Sequence, residues 1–306
     1  MSQKRRTRRI IPPVRRWYRR HGRVLPWRGT HDAYRILLSE IMLQQTQVHR
    51  VLEKYPSFLK RFPSLNSLAR APRRAVLLAW RGMGYNRRAV HLHNLARTLV
   101  ERWRGNVPSD VESLMGLPGI GRYTAHALLS SVHAQRLPIV DVNVRRFLSR
   151  VFWPMSSTQS TKAEEEIWRV AGEILPSRSV YAWNQALMDI GATVCRARAP
   201  ECTRCPVSGF CRSRRTMKQR SLARRQTERH RKGIPDRIYR GRIVEMLRGR
   251  GGRVVVTAAH LGRNIDPTYS PRDQAWLRQL LEKLAHEGIV RLHGQKRGAG
   301  LRISLA

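Results

Sequence analysis

Leu117-Pro118-Gly119-Ile120-Gly121-Arg122-Tyr123-Thr124-Ala125 is the stretch on which the reading of this chain turns. Pro118 and two glycines spaced i, i+2 predict a tight turn, because glycine alone enters positive φ at little cost. A helical run over residues 123–131 follows at once. The first backbone N–H groups of such a helix lack internal partners and point out of a turn free of side chains. With the positive end of the helix dipole, they attract a phosphate. An ordinary helix–turn–helix connector reads the same way, so the flanking sequence has to decide.

The charge balance narrows the choice. Among 306 residues, 60 Lys+Arg face 20 Asp+Glu, a formal net charge of +40. A polyanion is the implied partner, with nucleic acid foremost; a ribosomal or chromatin protein would share the charge. At roughly 150 residues per domain, the length points to two domains. No apolar run approaches the roughly 20 residues of a membrane span, and the segment after the basic start is too short for a signal-peptide core. A cytoplasmic, nucleoid-associated monomer is expected.

Residues 1–14 read as a basic arm, and Pro12 to Arg23 as a basic amphipathic helix ending at Gly22. Leu25-Pro26-Trp27-Arg28 sets an aromatic beside a guanidinium. Asp32 is placed to cap a long helix reaching about Phe62. Within it, Ile36, Leu37, Leu43 and Gln44 are the i±3 and i±4 neighbours of Glu40. A carboxylate on so apolar a face has its neutral form favoured, which suits a general acid; a structural carboxylate paired with an arginine is the other reading. Gln44-Gln45-Thr46-Gln47 is odd for a helix interior, and its amides suit base edges or a base stack. Gly82-Met83-Gly84-Tyr85 is a second glycine-flanked turn, with a tyrosine able to wedge between bases or to plug a core. Ser109 and Glu112 read as a capping box. Asp141 ends an apolar approach just before a helix expected over about 144–152. It is either a helix cap or the second carboxylate that glycosidic chemistry needs to answer a cationic sugar.

Residues 163–194 read as helical and lead into Cys195, Cys202, Cys205 and Cys211, the only cysteines of the chain. Four thiols within seventeen residues of a cytosolic protein indicate a metal rather than disulfides. Zinc and a [4Fe–4S] cluster both accept four thiolates, and the spacing departs from the paired-CxxC zinc pattern.

These pieces, in this order, resemble the helix–hairpin–helix superfamily of base-excision DNA glycosylases, over residues 15–212, and within it the MutY-type adenine glycosylases. The resemblance implies an all-α, two-lobed architecture with a [4Fe–4S] loop over 195–211. It also implies a target nucleotide flipped out of double-stranded DNA that carries a mismatch or damaged base. Carried over by position, Glu40 would protonate adenine at N7 and Asp141 would stabilise the oxocarbenium-like sugar, supported by Tyr123 and Asn143. Trp27, Arg28, Leu43 and Gln185 would line the base pocket. Gln44, Gln45, Thr46 and Tyr85 would meet the mismatch, and Gly119, Gly121 and Arg122 the backbone. Bifunctional relatives carry a lysine in the hairpin helix that forms a Schiff base with the sugar. Tyr123 stands there, so base removal with little or no strand cleavage is expected. The family usually has glycine at the positions of Val142 and His126, and a second aromatic at that of Asn86.

The C-terminal part lacks the Nudix-like domain expected of such enzymes. Residues 213–236 form a basic linker. Over 237–306, the order helix, short strand, helix, long helix from Ser270-Pro271 and basic hairpin is that of a small winged-helix-like domain, with Lys296 and Arg297 as wing contacts. Three functions follow: a monofunctional adenine glycosylase acting on A:G or A:8-oxoguanine mismatches, the same mechanism on uracil, thymine or another altered base, and a non-catalytic Fe–S winged-helix regulator.

Overall fold

The computed structural model describes residues 3–154, 161–215, 230–249, 254–294 and 301–306. The chain divides into two compact units. One comprises Met1–Ile36, Pro108–Gly116 and Ile120–Arg224; the other comprises Leu37–Val107, Leu117–Gly119 and Arg225–Ala306. No helix of the described residues is long and apolar enough to cross a membrane.

The first unit is helical. Its N-terminal helix, Gln3–His21, starts well inside the expected basic arm and runs through Pro12 and Pro13. Ile10 and Val14 are fully buried on one face. At roughly 1.5–3 kcal/mol each, they offset the about 3 kcal/mol that a helix-interior proline costs. They join a core with Phe147, Trp168, Val170 and Trp183 from the helices Val142–Phe152, Thr161–Glu173 and Val180–Asp189. The expected 163–194 helix is therefore interrupted before Val180, and it ends in a π-helical turn, Ile190–Val194. Asp110, not Ser109, caps the short Val111–Met115 helix, accepting from Ser113 N at 2.8 Å.

The second unit holds the helices Val48–Arg61, Leu65–Arg70, Arg73–Ala79 and Arg87–Trp103, packed around Phe58, Leu68, Leu77 and Trp80. Asp32 does cap the preceding helix, Ala33–Leu43, accepting from Arg35 N at 2.9 Å. That helix stops at Leu43, and the expected single helix to Phe62 is two. Gln45 adopts φ 54°, left-handed backbone that no helix can contain.

The C-terminal segment belongs to this unit. It contains helices Asp236–Leu247, Ala258–Ile265 and Gln274–His286, with Thr257 and Ser270 acting as caps. Its antiparallel sheet places Arg302–Leu305 between Val256–Thr257 and Val290–His293, with Leu292 opposite Ile303. Tyr239, Ile243, Leu261, Leu281 and Ile303 are buried within it. Lys296 and Arg297 lie outside the described residues.

Candidate functional site

The 117–125 turn forms with a different division of labour between its glycines. Gly119 has φ +78°, and a Cβ there would stand 3.0 Å from the His91 Cβ, so glycine is required. Gly121 is extended (φ −106°, ψ 178°), a conformation open to any residue, and a Cβ there would meet nothing within 4 Å. It precedes helix Arg122–Val132 without any side-chain cap. Gln44 Nε2 reaches the Gly119 carbonyl at 3.3 Å. Arg122 is engaged within the fold, with Nη1 2.8 Å from Glu165 Oε1 and its guanidinium 4.1 Å from the Trp168 ring centroid. An exposed pair of this kind contributes little to stability.

Asp141 is the helix cap that its sequence position allowed, and it is also half-buried. It caps helix Val142–Phe152, with Oδ1 accepting from Val144 N at 2.6 Å. Oδ2 accepts from Asn143 Nδ2 at 2.6 Å. Burial raises the carboxyl above its ordinary range, while these hydrogen bonds and Arg146 pull it back. Asn143 is held in turn by Arg146, whose Nη2 lies 2.8 Å from Asn143 Oδ1 and 2.6 Å from the Gly191 carbonyl. Asn184 pins the approach to Asp141 through Leu137 O (2.9 Å) and Ile139 N (3.3 Å). Tyr123 packs against the same core, its hydroxyl 3.8 Å from Met188 Sδ.

Trp27 and Gln185 are buried in this unit, and Arg28 is locked in place. Its Nη1 and Nη2 donate to Asp189 Oδ2 and Oδ1, both at 2.8 Å, in a bidentate pair. Asp189, fully buried, also takes Arg23 Nε at 2.8 Å.

In the second unit, Glu40 is buried on the Ala33–Leu43 helix beside buried Ile36 and Leu37. Leu43 and Gln44 are half-buried, Thr46 is half-buried and Gln45 is exposed. Sequence reading gave no hint of Arg88, which organises this region. Its buried guanidinium donates to the carbonyls of Ile41 (3.0 Å), Met42 (2.8 Å) and Met83 (3.0 Å), and to Thr46 Oγ1 (2.8 Å). Burial lowers Arg88 to about 10. One side chain thus ties the C-terminal end of the Glu40 helix to the 82–85 turn. Tyr85 projects from that turn, 55% exposed.

The four cysteines line one pocket with Phe147, Val151 and Val194. Burial pushes the Cys205 thiol up to about 12, with the neighbouring sulfurs adding to the rise, and raises Cys211 as well. Four thiolates crowded into an apolar pocket require a cationic group among them. Among the described residues, no three of His, Cys, Asp and Glu stand close enough to hold a single ion. Four cysteines lining one pocket are a donor set that zinc and a [4Fe–4S] cluster both accept. Arg150 frames the pocket: Nη1 lies 3.4 Å from Cys195 Sγ, and its carbonyl accepts from Cys211 Sγ at 3.2 Å.

Residues 38–173 match the family described as HhH-GPD superfamily base excision DNA repair protein. That span includes Glu40, the hairpin and Asp141. The chain is 37% identical over 275 residues to an adenine DNA glycosylase of Mycolicibacterium smegmatis, a likeness covering 90% of each protein. It is 38% identical over 215 residues to human adenine DNA glycosylase, covering 67% of this chain and 39% of that longer protein. Among solved structures, a thermostable thymine-DNA glycosylase superposes with a TM-score of 0.66 at 26% identity, covering 71% of this chain and all of that one.

Proposed function

The chain belongs to the HhH-GPD superfamily of base excision DNA repair proteins, and we propose that it removes adenine from DNA as an N-glycosylase acting at A:G or A:8-oxoguanine mismatches. The observation that carries the reading is the 37% identity to the M. smegmatis enzyme across nine tenths of both proteins.

In this reading, Glu40 donates its proton to N7 of an adenine flipped out of the duplex. The bond from the sugar C1′ to N9 then breaks, and its electron pair leaves with the base. Asp141, held ionised and oriented by Asn143 and Val144 N, answers the oxocarbenium charge until water adds to C1′ and surrenders a proton. By the family pattern, Trp27, Arg28, Leu43 and Gln185 are the residues assigned to the base. Gln44, Gln45, Thr46 and Tyr85 meet the opened stack, while Gly119, Gly121 and Arg122 receive the backbone phosphates. Tyr123 supports the sugar side and, being a phenol, forms no Schiff base. Cys195, Cys202, Cys205 and Cys211 would hold a [4Fe–4S] cluster that staples the loop. Residues 237–306 read as a winged-helix-like module, supported by the order of their elements.

A panel of duplexes with each mismatch and lesion, assayed for alkali-labile sites, tests the substrate. Cleavage confined to adenine is expected, with Glu40→Gln inactive yet still bound to the duplex. Cleavage at thymine instead would favour the activity named for the 26%-identical structural relative. Borohydride with abasic DNA should give no covalent adduct, and efficient trapping would overturn the monofunctional assignment.

A further inference from the structure

The turn that presents Tyr85 is costly to hold. Gly82, Gly84 and Tyr85 have φ of 86°, 65° and 45°, and the last of these is not a glycine. Trp80 Nε1 (3.1 Å) and Arg88 Nη2 (3.2 Å) brace the Gly84 carbonyl from inside. A second guanidinium arrives from the C-terminal segment. Arg248, the residue after helix Asp236–Leu247, is buried and donates from Nε and Nη2 to the Leu77 carbonyl at 3.2 and 2.9 Å. Leu77 lies in the last turn of helix Arg73–Ala79, where carbonyls lack helical partners and a cation is favoured. Nη2 also donates to Asn86 Oδ1 at 2.8 Å.

Asn86 makes this contact informative. It occupies the N-cap position of helix Arg87–Trp103, yet its side chain makes no capping bond. Asparagine at that position ordinarily caps; here its oxygen serves Arg248 instead. Glu245, which pairs with Arg248 Nη1 at 3.3 Å and also with Arg81, ties the same helix to the residue just before Gly82. The C-terminal segment therefore grips the 81–86 turn on both sides of the tyrosine.

We propose that Arg248 is a positioning residue for base extrusion, fixing the Gly82–Tyr85 turn through Leu77 and Asn86 so that Tyr85 is presented ready to enter the stack. The C-terminal module then acts on the flipping step, beyond any grip on duplex DNA. This rests on the proposed glycosylase reading, in which Tyr85 enters the opened duplex.

The test uses the full chain and the variants Arg248→Met, Arg248→Lys, Asn86→Ala, Tyr85→Ala and the Arg248→Met/Tyr85→Ala double variant. Extrusion is followed by fluorescence of a duplex carrying 2-aminopurine at the target position, and excision by single turnover on an A:G duplex. Arg248→Met should slow extrusion by about tenfold while duplex affinity stays within about twofold. Asn86→Ala should follow it, and Arg248→Lys should recover part of the loss. On the Tyr85→Ala background, Arg248→Met should add less than about twofold. Hydrogen exchange of amides 81–88 should quicken in Arg248→Met and not at residues 36–43. Wild-type extrusion speed in Arg248→Met, effects that multiply with Tyr85→Ala, or unchanged exchange would each overturn the proposal. A wild-type chain that excises no adenine would overturn the functional reading alone, because exchange and extrusion still decide on the brace.

Discussion

Asn143 donates from Nδ2 to Asp141 Oδ2 at 2.6 Å, two residues along the same helix start. The contact does more than orient. Burial favours the neutral carboxyl, and Asn143 and the Val144 N–H offset part of that by favouring the anion. Because the folded carboxyl sits above its ordinary range, the proton binds more tightly in the fold. Stability from this group is thus present below the unfolded value and lost as pH rises through the folded one.

Asn143→Ala removes the side-chain hydrogen bond that favours the anion, so the Asp141 carboxyl rises further. The acidic limb of the pH–rate profile for base excision should move to higher pH. On its plateau the rate should fall roughly ten- to hundredfold, the worth of a hydrogen bond to a charged group. A limb that stays in place would mean that another group controls it.

Asp189 is the converse case. Burial works to raise its carboxyl, but the Arg28 fork and Arg23 win, and the net shift is downward. A depressed folded value contributes stability above the unfolded value, near 3.9, that is lost as pH falls through the folded one. Asp189→Ala leaves two guanidiniums facing an emptied buried site. Breaking such a pair costs about 3–5 kcal/mol, and Tm should drop on the order of 10 °C. Thermal melts at neutral and acidic pH check this: the gap between wild type and variant should close toward acid.

How far the sequence was legible follows the range of the forces involved. The Asp32 and Asp141 caps were readable because a cap is local chemistry between a side chain and an amide three residues on. The break at Gln45 was not, since no glycine or proline marks it. Beside its left-handed backbone, Thr46 Oγ1 accepts from Arg88, 42 positions further along the chain. With 60 basic residues, the few buried guanidiniums that organise the fold, among them Arg28, Arg88, Arg150 and Arg248, look like the many that face solvent. Asp189 was equally hidden, at the end of an apolar helix whose partners lie 161 and 166 positions away. The family resemblance was visible because its motifs are short and ordered; the side chains that hold those motifs in place are scattered.

The two hairpin glycines separate fold from ligand. Gly119→Ala forces a Cβ onto left-handed backbone and within 3.0 Å of His91. It should destabilise by about 1–2 kcal/mol or more. Gly121→Ala meets no neighbour and needs no unusual φ, so stability should stay within about 1 kcal/mol. Its methyl group would nonetheless stand before the uncapped helix N-terminus. Duplex affinity, measured at fixed salt, should weaken for Gly121→Ala with its melting curve nearly unchanged. Full affinity in that variant would remove the hairpin from the DNA interface.

Arg146 joins the cysteine loop to Asp141 through Asn143. Nε donates to the Cys195 carbonyl at 2.8 Å, and Nη2 to Asn143 Oδ1, which leaves Asn143 aimed at Asp141. Where the cysteines hold an iron–sulfur cluster, Cys202→Ala should lose iron and acid-labile sulfide. The loop then loosens, Arg146 loses its anchor, and excision falls with the metal. Arg146→Met separates the two effects, since it leaves all four thiols in place. It should retain iron at wild-type stoichiometry while excision drops at least about tenfold, in line with a lost charge-assisted hydrogen bond. Iron assays beside single-turnover rates decide it: full activity in Arg146→Met would mean that the loop reaches Asp141 by another route, or not at all.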